Sequence, residues 1–210
     1  MKILISGFEP FDNSFVNPSQ LLVEYIKKDK SEFINFDTCL LPVDTSAAPK
    51  KLIDAIDKVQ PNFVISLGQA YGRAVVSVEK IAINFLNFRI PDNSNIKIED
   101  QLIIPDAPAA YFSSLPVREI QGAVTAVGIP CEISYSAGTY LCNQVFFCIM
   151  HHITINHLDI KAGFVHFPAL PEQVAGKHPC VPSMDIDVMQ KALDQIIRVI
   201  RPSFFEIKFN

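Results

Sequence analysis

Basic residues are in short supply in this chain of 210 residues, where 18 Lys and Arg face 22 Asp and Glu for a formal net charge of −4 and a pI near 5.7. No basic face is available on which a phosphate backbone would dominate affinity, so nucleic acid is not expected as a partner. Long apolar runs are missing as well. Even the richest stretch, Tyr140 to Met150, is interrupted by Asn143 and Gln144, well short of the roughly twenty residues of a spanning helix. A soluble protein with no membrane partner is expected. The N-terminal run from Met1 to Gly7 is apolar for too short a distance before Glu9 to be a secretory leader, and no small-residue cleavage pattern follows it. It reads as a first strand. The sequence has no internal repeat, no low-complexity tract and no Gly/Ser linker, so residues 1–210 read as a single domain. Its five cysteines, Cys39, Cys131, Cys142, Cys148 and Cys180, are odd in number and irregularly spaced. That pattern fits free thiols in a reducing cytoplasm rather than a disulfide framework.

What the chain does have is enough apolar material for one sizeable core, with 49% hydrophobic and 19% charged residues, which excludes disorder and fibrous repeats. Short β-rich stretches alternate with longer segments of helical period, the order that gives a mixed or parallel sheet covered by helices. The fold class is α/β. Strands are predicted over 2–6, 36–42, 62–67, 75–85, 131–136, 160–166 and 203–209, each bounded by Gly, Pro, Asn or Asp. Helices are predicted over 18–29, 46–59, 117–127, 140–156 and 184–201. In the last, Ile186, Met189, Leu193, Ile196, Ile197 and Ile200 form one stripe, and Pro18 suits a first helical position. Two stretches resist the pattern, Pro91 to Ala110 and Pro168 to Pro182, and are expected to be long loops of the kind that carry function.

Glycine is scarce too, eight in all, yet Gly7, Gly68 and Gly138 each follow a predicted strand and Gly163 lies near the end of another. In open α/β sheets that is where ligands bind, and glycine there allows tight turns and close backbone approach; ordinary strand-to-helix turns are the competing explanation. The segment Ser136 to Asn143 runs through Gly138 into an apolar helix and puts Cys142 in its first turn, where uncommitted amides and the helix dipole favour a thiolate. A buried structural cysteine is the alternative. Cys148, Cys39 and Cys131 take that plainer reading, since each lies inside an apolar helix or strand pattern. A nucleophilic cysteine needs a base, and His166 ends a predicted strand on the same sheet edge as the Cys142 turn. His151, His152 and His157 fit helix solvation better. His178 and Cys180 alone are too few ligands for a metal site, so no metal or cofactor is expected. An imidazole that cycles between base and acid needs a third group to hold its tautomer. Glu79, flanked by apolar residues, qualifies if it faces inward and is paired; an outward-facing Glu on an edge strand is the slightly simpler expectation. Phe8, Phe11 and Phe15 lie in the loop between Gly7 and Pro18 and suggest a pocket lined for a flat, uncharged ligand, with packing over the sheet edge as the competing explanation.

In order along the chain stand Gly7-Phe8-Glu9-Pro10-Phe11 with Asn17-Pro18-Ser19, Gly68-Gln69-Ala70-Tyr71-Gly72-Arg73, Glu79, Arg89-Ile90-Pro91-Asp92-Asn93, Ser136 to Asn143, and Gly163-Phe164-Val165-His166-Phe167-Pro168 with Leu170-Pro171-Glu172-Gln173. Together these motifs span nearly the whole chain and resemble pyroglutamyl peptidase type I. The resemblance implies a cytoplasmic cysteine peptidase that removes an N-terminal pyroglutamyl residue from peptides, with an α/β/α sandwich fold and a tetrameric assembly. It also implies a triad of Glu79, Cys142 and His166, and an aromatic clamp of Phe8 and Phe11 on the lactam ring. Gln69, Ile90, Tyr140 and Leu141 would lie near the pocket, with Arg73 supporting the site. Two departures bear on pocket shape: Tyr71 stands where a small residue is more usual, and Asn87 with Phe88 replaces an acidic-then-small pair. The expected chemistry is attack by Cys142 as thiolate, proton transfer by His166 and orientation of His166 by Glu79. The oxyanion would be held by amides at the helix start, with Arg73 or a nearby loop amide as further candidates. Two rival readings are a binding protein without activity and a nucleoside phosphorylase of similar architecture, which would want a basic or Gly-rich anion site.

Overall fold

A computed structural model describes residues 1–12, 14–28 and 35–201. In chain order its elements are β1 (Lys2–Phe8), α1 (Pro18–Lys27), β2 (Asn35–Leu41), α2 (Ala47–Val59), β3 (Phe63–Gln69), β4 (Val76–Glu79), β5 (Ile81–Ile83), β6 (Ala110–Phe112), α3 (Val117–Ala126), β7 (Cys131–Ser134), α4 (Leu141–Ile155), β8 (Lys161–Phe167), α5 (Pro171–Val174) and α6 (Ile186–Ile200). Six strands form one sheet in the order β2-β1-β3-β8-β4-β7. Its neighbours are parallel except β4 against β8, which run antiparallel. The central strands are buried on both faces, as helices on each side require.

Side-chain alternation sorts the core into two layers. Ile3 and Ile5 of β1 with Ile65 and Leu67 of β3 pack against α1, α3 and α6. Leu4 and Val64 from the same strands point the other way, toward α2, α4 and the β5–β6 pair. The sheet is therefore sandwiched, as an α/β/α arrangement demands. On α6 the stripe of Met189, Leu193, Ile196, Ile197 and Ile200 is buried. Asn17 caps α1, its Oδ1 accepting from the Ser19 amide at 3.0 Å and the Ser19 hydroxyl at 2.8 Å, with Pro18 in the first helical position.

Three expectations change. Residues 75–85 do not make one strand: at Lys80 the amide donates to Ser134 O at 2.7 Å while its carbonyl accepts from the Ser113 amide at 2.9 Å. One residue thus leaves the large sheet and enters the small one, dividing the segment into β4 and β5. The stretch from Pro91 to Ala110 ends in β6, which pairs antiparallel with β5. The Pro-rich stretch after β8 holds the short helix α5, opened by Pro171. The predicted strand 203–209 lies outside the described residues.

Candidate active site

The floor of the site is set by a missing side chain. Gly68 of β3 is packed so closely that a Cβ there would lie 2.8 Å from the Phe164 ring and 3.0 Å from Cys142 Sγ. A larger residue would have to displace the thiol or the ring. Gly68 is also the register partner of His166 on the adjacent strand β8. Thiol and imidazole are thus both placed beside this glycine and line one cavity. The route differs from the expected one: β7 runs antiparallel to β8, so the Cys142 turn does not share His166's strand direction. It reaches the site through residues 135–140, which Arg73 fastens by donating from Nη2 to Ser136 O at 2.9 Å.

Cys142 is the second residue of α4, after Tyr140, whose side chain makes no cap hydrogen bond. The amides of the first turn are left free of side-chain partners. Two polar residues that interrupt the apolar helix anchor this turn, a role their place in the sequence does not announce. Buried Asn143 accepts from the Ile83 amide at 2.9 Å and donates to Ile83 O and Phe85 O at 2.8 and 3.1 Å. Gln144 accepts from the Thr45 hydroxyl and donates to Thr45 O, both at 3.0 Å. The signal was available, since a buried amide in an apolar helix must be satisfied somewhere.

Glu79 does not face outward on an edge strand. It ends β4, an interior strand of the sheet, and is fully buried. Its Oε1 lies 2.7 Å from His166 Nδ1 and accepts from Arg73 Nη1 at 2.7 Å. Burial acts to raise the Glu79 carboxyl, but the hydrogen bond and charge of His166, with Ser134 and Arg73 beside it, outweigh burial and hold it below its usual value. Its Oε2 is buried with no donor in place while the Ser134 hydroxyl is turned to Ser136 O at 3.2 Å. Rotating that hydroxyl supplies one. Arg73 lines the cavity while its guanidinium is engaged by Glu79 and Ser136, which fits the supporting role the resemblance implies.

Burial opposes the thiolate expected at the helix start. Burial pushes the Cys142 thiol up to about 12, the charge of Glu79 adds to this, and Arg73 and the residue's own amide only partly offset it. The helix start is outweighed because the sulfur lies beneath the surface beside a carboxylate. Of the thiols given the plain reading, Cys39 and Cys148 are buried and Cys131 is half-buried.

One wall of the cavity is aromatic, though not as the three-phenylalanine pattern suggested. The ring centroids of Phe11 and Tyr140 lie 6.5 Å apart, the planes tilted by 36°. Phe88 braces Tyr140 edge-on at 4.6 Å. Phe8 is buried and lines the same cavity, and Phe15, at its rim, stands fully in solvent. Ile90 and Leu141 complete this end. Buried Asp92 holds it together, accepting from the amides of Thr45, Ser94 and Ile96, each at 2.9 Å. Asn93 donates to Pro10 O at 3.1 Å, and the Tyr140 hydroxyl donates to Pro91 O at 3.1 Å. Burial and neighbouring Asp92 push that hydroxyl up to about 12, so it stays a donor. On the opposite side Gln69 donates to Gln173 Oε1 at 2.9 Å, and Gln173 donates to Ser14 Oγ at 2.9 Å and Val16 O at 3.1 Å. The cavity measures about 1000 Å³. Among the described residues no group of three or more His, Cys, Asp or Glu is placed to hold a metal ion.

A cysteine, a histidine held by a buried carboxylate and a preformed aromatic slot on an α/β/α sandwich define a hydrolase of the cysteine-peptidase class. The family model for pyroglutamyl peptidase matches residues 1–202. The chain is 41% identical over 200 residues to the pyrrolidone-carboxylate peptidase of Vibrio parahaemolyticus serotype O3:K6, covering 95% of this chain and 92% of that one. Among solved structures it is similar to pyrrolidone carboxyl peptidase from Thermococcus litoralis, with TM-score 0.90, 39% identity and coverage of 94% and 92%. It is also similar to Bacillus amyloliquefaciens pyroglutamyl peptidase I, with TM-score 0.89, 34% identity and coverage of 94% and 95%. The chain belongs to the pyroglutamyl peptidase family. The binding-protein and phosphorylase readings are correspondingly not favoured, and Arg73, one of the two cations an anion site would have used, is already paired.

Proposed function

We propose that the protein hydrolyses the amide bond after an N-terminal pyroglutamyl residue of peptides, through a thioester on Cys142. The observation that carries this reading is the buried Glu79–His166 pair at 2.7 Å facing the cavity that holds the Cys142 thiol. The lactam ring packs against the aromatic wall of Phe11 and Tyr140. An ordinary N-terminus would leave its hydration to pack there. The high thiol pKa fits a resting Cys142 that is neutral. His166 takes its proton as sulfur bonds to the carbonyl carbon, and Glu79 stabilises the resulting imidazolium. The oxyanion is met by amides of the uncapped α4 start. The imidazolium then protonates the departing amine, and the neutral imidazole activates water to cleave the thioester.

Release of a fluorogenic amine from a pyroglutamyl amide, beside the glutaminyl and prolyl amides and an iodoacetamide-treated sample, tests the reading. Selective, thiol-sensitive release is expected, and a folded protein that releases nothing overturns it. We further propose that residues 1–210 act as one catalytic domain, that the protein works in a reducing cytoplasm, and that it assembles as a homotetramer. Its five free thiols support the compartment. Exposed Phe112, Tyr135 and Ile155 supply apolar surface for assembly. Light scattering that reports a monomer at every concentration would discard the tetramer.

A further inference from the structure

The slot for the lactam ring accounts for one end of the cavity. A volume of about 1000 Å³ is far more than a five-membered ring fills, so the remainder receives the rest of the peptide. Chemistry fixes which end that is. The proton donor to the leaving nitrogen is His166, so the amine and the residue it belongs to must lie on the His166 side. Two turns overhang that side, one from each of the paired strands that carry Gly68 and His166.

Both turns are of type II. In the first, the Arg73 amide donates to Ala70 O at 3.2 Å and Gly72 takes φ +88°, the conformation that demands glycine at the third position. The turn sends Arg73 back to Glu79 and leaves Tyr71 at the outer corner, about half exposed. In the second, after α5, the Lys177 amide donates to Val174 O at 3.0 Å across Ala175 (φ −55°, ψ 128°) and Gly176 (φ +74°). The two corners meet: Lys177 Nζ lies 5.0 Å from the centroid of the Tyr71 ring. Among the described residues this ammonium has no carboxylate partner, and the contact is of the cation–π kind that fixes a ring's orientation. Tyr71 and Lys177 both line the cavity shared with Cys142 and His166.

We propose that Tyr71, propped by Lys177, is the binding surface for the side chain that follows pyroglutamate, and that it selects peptides with an aromatic residue there. This rests on the pyroglutamyl-peptidase reading above. Lys177 takes one face of the ring and leaves the other for stacking. An aromatic partner gains an offset or edge contact that alanine cannot make. The backbone of each turn is fixed by its own hydrogen bond, so little ordering is needed on binding.

The test compares kcat/KM for pyroglutamyl-phenylalanine amide and pyroglutamyl-alanine amide on the same preparation of enzyme. A ratio of this kind does not depend on the fraction of protein that is folded. Tyr71→Ala is expected to lower the phenylalanine-to-alanine ratio about three- to tenfold, and Tyr71→Phe to keep it within about twofold. Lys177→Gln is expected to lower the ratio about twofold in the wild-type background and not at all in Tyr71→Ala. A ratio unchanged by Tyr71→Ala overturns the subsite, and one unchanged by Lys177→Gln overturns the prop. Failure of the underlying reading looks different, because wild-type enzyme would then cleave neither amide.

Discussion

The inner wall of the cavity and its rim are built on opposite plans. At the wall, Glu79 and Asn143 are fully buried, His166 and Asp92 nearly so, and each is held by hydrogen bonds between distant segments. Asp92, with Asn93 and Ser94 beside it, joins the segment after Arg89 to the β2–α2 loop. At the rim, Tyr71, Lys177 and Phe15 stand at or near solvent on turns and loops closed mainly by local backbone bonds. The difference follows what each must recognise. A lactam ring and a developing oxyanion have one geometry, which repays preorganisation. The peptide that follows varies, so the rim needs contact without a fixed partner.

The comparison is broken most severely at the thiol. Cys142→Ala is expected to lower turnover of a pyroglutamyl amide by about 10⁴-fold or more with Tm little changed, measured by amine release and thermal melting; turnover near wild type would remove the thioester mechanism. The same thiol carries a pH prediction. With its pKa raised to about 12, the thiolate fraction grows about tenfold per pH unit throughout the range 7 to 10. Alkylation by iodoacetamide, followed by mass spectrometry at the Cys142 peptide, is expected to climb across that whole range. A rate that levels off below pH 8 would show that the helix start outweighs burial after all.

Glu79→Gln should cost less, about 10²- to 10³-fold in kcat. The amide keeps the size and loses the charge that stabilises imidazolium, while Arg73 is left unpaired. Because the carboxyl is held below its usual value, its contribution to stability is present above the unfolded pKa and fades as pH falls through the folded one. Wild type should therefore lose Tm between about pH 5 and pH 3 more steeply than Glu79→Gln, and parallel curves would contradict this. Asp92→Ala sits lower again. Three backbone amides lose a charged acceptor, which costs about 2–3 kcal/mol of stability, and the Tyr140 side of the slot loosens. KM for the pyroglutamyl amide should rise about tenfold with kcat changed less, and a loss confined to kcat would mean that Asp92 does not shape the slot.

How much of this was legible in the sequence divides along the same line. The order of strands and helices, the Cys142 turn and the end of β8 at His166 were readable because apolar period, Gly and Pro encode them locally. What escaped was non-local. Whether Glu79 faces in or out depends on β4 lying between β8 and β7, which no local pattern states. The division of 75–85 depends on Lys80 finding Ser134 on one side and Ser113 on the other. The thiol's protonation depends on burial against Gly68 and on Glu79, both supplied by strands distant in sequence, while the favourable helix start is local. The resemblance implies Phe8 and Phe11 as the clamp, and both line the cavity, but the pairing of Phe11 with Tyr140 joins segments far apart in sequence and is stated by no local pattern.

Phe15 offers the smallest expected effect and the sharpest test of that last distinction. From sequence it belongs with Phe8 and Phe11, three aromatics in one short loop. In the structure the neighbouring Ser14 hydroxyl donates to Val16 O at 2.7 Å and accepts from Gln173, which pins the backbone on both sides and turns the intervening ring outward. Its contact with solvent is complete, so Phe15→Ser removes no packing. Stability should change by less than about 0.5 kcal/mol and kcat/KM for the pyroglutamyl amide by less than about twofold, whereas Phe11→Ser in the same assay should raise KM about tenfold or more as one face of the slot disappears. Equal losses from the two substitutions would shift Phe15 from the rim to the wall and move the boundary between them.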